Sequence, residues 1–123
     1  SDAGMAHLGA MKNLEKLNLW RLQISDAGLE PLGQLKNLAW LNLDNTLTSD
    51  IGLPALSPLG KLEFLHLGST AVTDEGLVHL EALTALKDLK VTRTNVSEEG
   101  VATLQKKLPG ARIQLKYIAG DGS

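Results

Sequence analysis

The chain has 123 residues, of which 43% are hydrophobic and 21% charged, a balance typical of a globular domain with its own core. Its formal net charge of −2 favours neither nucleic acid nor an anionic membrane surface as a partner. Because there is no cysteine, disulfides, thiolate metal sites and cysteine nucleophiles are excluded, and no apolar run approaches the roughly 20 residues of a membrane span. Composition leaves the cellular compartment open.

The chain repeats itself every 24 residues: it opens with SDAGM, and SDAGL returns at residue 25. A fixed period of this length predicts a stack of units, each of which buries its apolar face against its neighbours. The units are a half unit at 1–13, full units at 14–37, 38–61, 62–85 and 86–109, and a terminal strand at 110–117. The glycine-containing end at 118–123 is expected to be a flexible tail.

The first half of each unit reads L-x-x-L-x-L, which predicts a short strand. Its leucines form columns 24 residues apart, as do Leu17, Leu41, Leu65 and Leu89. Because successive side chains in a strand point to opposite faces, the leucines face the core and the residues between them face outward.

The second half of each unit predicts a short helix that begins after a serine or threonine. The predicted N-caps are Ser25, Ser49, Thr73 and Ser97. An acid follows in each unit, where the helix dipole favours negative charge: Asp2, Asp26, Asp50, Asp74 and Glu98. A calcium stripe is the alternative, but Ca²⁺ needs six to eight oxygen ligands around one ion. A recurrent glycine two residues later is expected to let neighbouring helices pack closely.

The pattern L-x-x-L-x-L-x-x-T-x-V-T-D-x-G-L-x-x-L-x-x-L resembles the leucine-rich repeat, and the resemblance covers essentially residues 1–117. The T-D-x-G-L helix start and the 24-residue length resemble bacterial repeats of the planctomycete type, and are similar to the repeats of F-box substrate receptors without their cysteine. The resemblance implies an α/β solenoid, a right-handed superhelix with a concave parallel β-sheet and short convex helices. It also implies a non-enzymatic module for protein–protein interaction.

Two positions depart from the pattern. Many leucine-rich repeats place Asn in the turn after the strand; here Leu22 stands in a column of threonines, and its turn should be looser because it has no polar side chain. Thr48 occupies an otherwise apolar column, and a local shift is expected to let Leu47 fill that pocket instead.

Three of the four aromatic residues, Trp20, Trp40 and Phe64, lie at outward-facing strand positions that a repeat core does not need. Exposed apolar groups in one patch favour a partner-binding site. The alternative, compatible with the first, is that Trp40 and Phe64 stack across strands and stabilise the sheet. The predicted rim of the site is Arg21, Asp44, His66, Lys90 and Arg93.

The columns predict no catalytic centre, metal site or cofactor. His7, His66 and His79 are placed too far apart to share a metal ion, and the columns put no serine or carboxylate beside them in a triad. Basic residues cluster towards the end of the outward-facing columns, at Lys90, Arg93, Arg112 and Lys116. This cluster favours a protein partner with an acidic patch. Nucleic-acid binding usually requires a stronger positive field than this cluster provides.

Two functions follow from the sequence. The first is a module that binds a protein or peptide on the concave face, with a carbohydrate as a variant because sugars stack on tryptophan. The second is a structural or self-associating segment of a longer repeat protein. Its contact would be the N-terminal end, where Met5, Leu8 and Met11 are expected to lack a covering unit.

Overall fold

The computed structural model describes residues 2–116, except for the side chain of Ala3. The tail expected at 118–123 therefore lies outside the described residues, as do Ser1 and Tyr117. In chain order the elements are α1 (Asp2–Leu8), β1 (Lys16–Asn18), α2 (Asp26–Leu29) with a 3₁₀ helix (Glu30–Gln34), β2 (Trp40–Asn42), a 3₁₀ helix (Leu53–Leu56), β3 (Phe64–His66), a 3₁₀ helix (Asp74–Leu80), β4 (Asp88–Lys90), α3 (Glu98–Lys107) and β5 (Arg112–Gln114).

The five strands form one parallel sheet in the order β1-β2-β3-β4-β5. The register pairs residues 24 apart, so that Trp40 lies between Lys16 and Phe64, and His66 lies between Asn42 and Lys90. Each inner strand, β2 to β4, therefore pairs with the strands of the units before and after it. The alternation of the strands buries the leucines: Leu41 and Leu65 are fully buried, whereas Trp40 and Phe64 are half-buried.

The core lies between the sheet and the helices and consists mainly of leucine. At the first strand the burial is less complete, and Leu14 and Leu17 are half-buried because β1 is the edge of the sheet within residues 2–116. The expectation that Met5 lacks a cover is wrong, since Met5 is 2% exposed. Helix α1 packs on α2 and on the 3₁₀ helix that follows, which turns Met5 into the core. Leu8 is half-buried, and Met11 is 54% exposed.

The helical halves are short, and in two units they are 3₁₀ helices only. Thr73 and Ser97 act as N-caps whose side chains accept from the amides of Glu75 and Gly100, as the sequence predicts. Ser25 makes no such bond.

The helix-start acids bind the next unit. Asp26 accepts hydrogen bonds from the amide (2.7 Å) and the hydroxyl (2.5 Å) of Ser49, and Asp50 does the same with Thr73 at 2.8 and 2.5 Å. The same pairing joins Asp2 to Ser25 and Asp74 to Ser97. Charge-assisted bonds of this kind are about twice as strong as neutral ones. We call these four contacts the aspartate junctions.

The recurrent glycine makes room for the aspartate junction. A Cβ added to Gly76 would overlap the Oδ1 atom of Asp50, and Gly28, Gly52 and Gly100 face the preceding aspartate in the same way. Gly4 has no described atom within 4 Å of such a Cβ. The sequence predicted close helix packing at this column, and the structure shows that the close neighbour is a carboxylate.

The turn after each of the first four strands contains a residue with a left-handed backbone. These are Arg21, Asn45, Ser69 and Arg93, with φ between 52° and 62°. The conformation costs an L-residue roughly 1–2 kcal/mol. Hydrogen bonds to the next unit oppose that cost: the amide of Asn45 donates to the carbonyl of Gly68 at 2.9 Å, and the amide of Arg21 donates to that of Asp44 at 3.0 Å. The strain recurs in all four full units and therefore belongs to the architecture.

In the column that contains Leu22, each threonine closes the turn with a side-chain hydrogen bond. The hydroxyl of Thr46, for example, donates to the carbonyl of Leu43 at 2.8 Å. Leu22 cannot make this bond and is 45% exposed. The predicted shift at Leu47 is wrong, because Leu47 is 59% exposed while Thr48 is fully buried. Thr48 fits the apolar slot because its hydroxyl pairs with that of Thr46 at 2.8 Å.

Candidate functional site

We call the sheet surface that carries positions 16, 18, 20 and 21 of the first unit, and the equivalent positions of the later units, the concave face. Trp40 and Phe64 stack there on adjacent strands, with ring centroids 4.9 Å apart and planes 7° from parallel. The ammonium of Lys16 lies 4.5 Å from the centre of the Trp40 ring. Trp40 therefore makes a ring-stacking contact with Phe64 and a cation–π contact with Lys16. Both contacts are attractive and stabilise the sheet locally.

Trp20 lies at the opposite end of the strands and is 50% exposed. The Arg21 guanidinium is 5.2 Å from its ring centre. Trp20 lines a cavity of about 450 Å³ at the carboxyl ends of the strands, and neither Trp40 nor Phe64 does. The three aromatic residues that the sequence grouped together thus form two groups: the stacked pair and Trp20.

The cavity brings together five of the eight residues that the sequence singled out. These are Trp20, Arg21, Asp44, His66 and Arg93. Sequence reasoning did not select the others, Asn18, Asn42, Asn45 and Ser69. The signal was present, since each occupies the same column as a selected residue. Lys90 lies outside the cavity lining, on β4 next to His66.

Three side chains in one column of the cavity accept a hydrogen bond from the backbone two residues later. The Oδ1 atoms of Asn18 and Asn42 accept at 3.1 and 2.9 Å, and Nδ1 of His66 accepts from the amide of Gly68 at 3.0 Å. Each amide oxygen is thereby turned to the backbone and each amide NH₂ away from it. A neutral His66 ring whose Nδ1 accepts carries its proton on Nε2.

His66 is 4% exposed, although its column predicted a solvent-facing rim residue. The cause is Gly68, the next outward position beyond the end of β3. A Cβ on Gly68 would lie 2.6 Å from Cε1 of His66, and 2.8 Å from both Oδ1 of Asp44 and Oγ1 of Thr92. The missing side chain lets these three groups converge over the backbone of Gly68.

No group of three or more His, Asp or Glu side chains within residues 2–116 is arranged to hold a metal ion. Nor does this part of the chain contain a helix long and apolar enough to cross a membrane. The concave face offers amide and guanidinium donors, one carboxylate in the cavity and aromatic surface, which together suit binding by hydrogen bonds and apolar contact.

No protein-family model matches the chain, and no curated protein matches it. Solved structures do match. A leucine-rich repeat protein of Leptospira interrogans is 23% identical, with a TM-score of 0.64 over 89% of this chain and 33% of that chain. Internalin C2 of Listeria monocytogenes is 24% identical, with a TM-score of 0.75 over 94% of this chain and 49% of that chain. The fold is a leucine-rich repeat solenoid.

This confirms the α/β solenoid with a concave parallel sheet and convex short helices. A plant peptide hormone receptor, solved in complex with RGF2, shares the leucine-rich repeat fold at 15% identity and a TM-score of 0.62, over 91% of this chain and 18% of the receptor. The chain spans less than half the length of each of these three proteins. The planctomycete-like repeat type with its T-D-x-G-L helix start stays a prediction from the sequence.

Proposed function

We propose that this chain is a non-enzymatic module that holds a protein or peptide partner on its concave face. The observation that carries the proposal is the placement of aromatic residues. Three of the four in the chain stand on the outward side of the sheet, where burial in the core cannot account for them. The leucine-rich repeat fold supports the proposal by analogy, since proteins that share it include a hormone receptor.

The two aromatic groups suit different parts of a partner. Trp20 is exposed and adjoins a polar cavity, so it can cover an apolar side chain while the cavity pairs with polar groups. The Trp40 ring has Phe64 stacked on one side and the Lys16 ammonium 4.5 Å from its centre, so it offers mainly its edges to a partner. Of the predicted rim, Arg21, Asp44, His66 and Arg93 line the cavity beside Trp20, and Lys90 lies on β4 next to His66.

The stack favours a protein over a carbohydrate. Sugars bind tryptophan through the open face of the ring, and the Trp40 ring is occupied by Phe64 and approached by Lys16. Trp20 retains more open surface, and a glycan array is the direct check. If the wild type bound a glycan and Trp20→Ala did not, the ligand of the concave face would be a carbohydrate and not a protein.

Affinity capture from cells of the source organism tests the proposal, with Trp20→Ala and the double variant Trp40→Ala/Phe64→Ala beside the wild type. The matched controls are Ile51→Ala and Val78→Ala, which remove apolar residues that are 83% and 56% exposed outside the concave face. We expect a captured partner to be lost with the aromatic variants and kept with the controls. A partner that the aromatic variants still capture would contradict the concave-face site.

A second function, self-association through the N-terminal end, is favoured by one observation. Met11 is 54% exposed there, and Leu14 and Leu17 are only half-buried. A second copy that covered them would make the chain a dimer, which light scattering over a concentration series would detect. Met11→Lys should then return the chain to a monomer, whereas a monomeric wild type would contradict this alternative.

A further inference from the structure

The concave face has a charge opposite to that of the whole chain. Its described positions contain two acidic residues, Asp44 and Asp88. The basic residues of the face are Lys16, Arg21, Lys90, Arg93, Arg112 and Lys116. The face thus carries a formal net charge of +4 in a chain of net charge −2, and it attracts a negatively charged partner.

The cavity adds hydrogen-bond donors to that positive charge. The oxygens of Asn18 and Asn42 accept from their own strands, so these side chains present NH₂ groups. Arg21 and Arg93 line the same cavity from two different units. A lining of this kind selects a ligand rich in acceptor oxygens.

Two features favour carboxylates on a peptide over phosphates on a nucleic acid. Asp44 lies in the cavity and Asp88 on β4, where each would repel a continuous phosphate backbone but could accept from the amides of a peptide. Single-stranded nucleic acid is usually held by bases stacked on open ring faces, and the Trp40 ring has Phe64 on one side and the Lys16 ammonium near its centre.

The spacing of the two arginines defines the ligand further. Arg21 and Arg93 are three units apart, which is about 14 Å at the usual separation of neighbouring strands. This is the separation of the two backbones, and a ligand with one carboxylate for each arginine can pair with both at once. An extended peptide advances about 13–14 Å over four residues, so acidic side chains four positions apart match the two arginines.

We propose that the concave face binds an extended acidic peptide segment that crosses the strands, with two carboxylates about four residues apart paired to Arg21 and Arg93. This inference rests on the proposed function and deepens it, because it names the chemistry of the partner. Trp20 lies beside the first arginine and covers an apolar residue next to the first carboxylate.

The test is selection of a random 12-residue peptide display library on the wild-type chain, followed by titration of the synthetic consensus peptide. We expect enriched peptides with a negative net charge and acidic residues four apart. Arg21→Gln and Arg93→Gln should each weaken the consensus peptide about tenfold, since each removes one charge-assisted pair. Lys36→Gln and Lys106→Gln remove exposed charges outside the face and should leave the affinity unchanged.

A second variant tests the cavity without changing any charge. Gly68→Ala places a methyl group against His66, Asp44 and Thr92 and should weaken the same peptide, whereas Gly60→Ala, with open space around it, should not. Circular dichroism and thermal unfolding establish that each variant is folded before its affinity is compared.

The outcomes separate this inference from the proposed function. Neutral or basic peptides that bind through Trp20 would overturn the acidic ligand and leave the interaction module intact. If no enriched peptide depended on the concave face, the peptide-binding function would fail together with the inference. A 20-nucleotide oligothymidine that bound more tightly than the consensus peptide and required both arginines would also overturn the inference.

Discussion

The helix starts and the concave face are built by the same 24-residue unit, yet they differ in how far they vary along the chain. At the helix starts all four aspartate junctions use the same groups: a carboxylate, a hydroxyl and a glycine. On the concave face one column reads Lys16, Trp40, Phe64, Asp88 and Arg112, with no residue repeated. We infer that uniform positions stabilise the stack and that varied positions select the partner.

The largest effect is expected when a side chain is added at the glycine of one aspartate junction, which tests whether the uniform positions stabilise the stack. Gly76→Ala puts a methyl group where the Asp50 carboxylate lies, so it should lower the free energy of unfolding by about 2–4 kcal/mol through overpacking and weakened hydrogen bonds. Gly4→Ala is the matched control, because the same glycine column is open there. It should be neutral or stabilising by up to about 1 kcal/mol, as expected for Gly to Ala in a helix. If Gly76→Ala and Gly4→Ala changed the free energy of unfolding in urea equally, glycine would not be needed to make room for the aspartate.

Removing the carboxylate itself should have the next largest effect. Asp50→Ala leaves the amide and the hydroxyl of Thr73 without their acceptor, which should cost about 2–3 kcal/mol for two charge-assisted bonds. Ligand affinity on the concave face should not change once the chain is folded. A large loss of affinity at full folding would show that the junctions and the face are not independent.

The stacked pair tests the division from the other side, because Trp40 and Phe64 belong to the varied columns and still contact each other. A double-mutant cycle with Trp40→Ala and Phe64→Ala should give a coupling of about 0.5–1.5 kcal/mol in the free energy of unfolding. A coupling near zero would mean that the pair contributes to recognition alone.

Arg21 combines both roles at one position, since it has a left-handed backbone and lines the cavity. Arg21→Gly should raise the free energy of unfolding by about 0.5–1 kcal/mol, because glycine adopts this conformation without steric cost. Asn45→Gly should gain less, because Asn tolerates the conformation better than Arg. If Arg21→Gly were more stable than the wild type and no longer bound the acidic peptide, the role of Arg21 in binding would explain why its strained backbone is kept.

The smallest effect concerns pH. The hydroxyl of Ser97, followed by its amide, lowers the pKa of Asp74 below the ordinary value. A lowered pKa adds stability that is complete above the unfolded pKa of about 4 and is lost as the pH falls through the folded value. The stability difference between the wild type and Asp74→Asn should therefore be constant from pH 5 to 7 and shrink below about pH 4. Glu75→Gln, outside the aspartate column, is the control for urea titrations across this range.

The sheet could be predicted from the sequence because the leucine columns leave one register in which every strand buries the same face. The direction and order of the strands followed from the period, and the structure confirms both. The partner of each aspartate was harder to predict. The sequence shows an acid after a hydroxyl in its own unit, whereas the bond forms with the hydroxyl of the next unit.

The details of the site escaped prediction for a related reason. The burial of His66 depends on Gly68, and the burial of Thr48 depends on the hydroxyl of Thr46. Each effect comes from a neighbour that the column pattern treats as independent. The two aromatic groups separated because Trp20 lies at the other end of the strands from Trp40, a distance that shared membership of one face does not reveal.

The aspartate junction has a consequence for how such a chain can evolve. Because every junction joins the same carboxylate to the same hydroxyl and glycine, the end of one unit fits the start of any other. A duplication or loss of one 24-residue block would join surfaces that already match. The concave face would then gain or lose the outward-facing residues of one strand. Recombination could thus lengthen or shorten the binding surface without the need to invent a new interface.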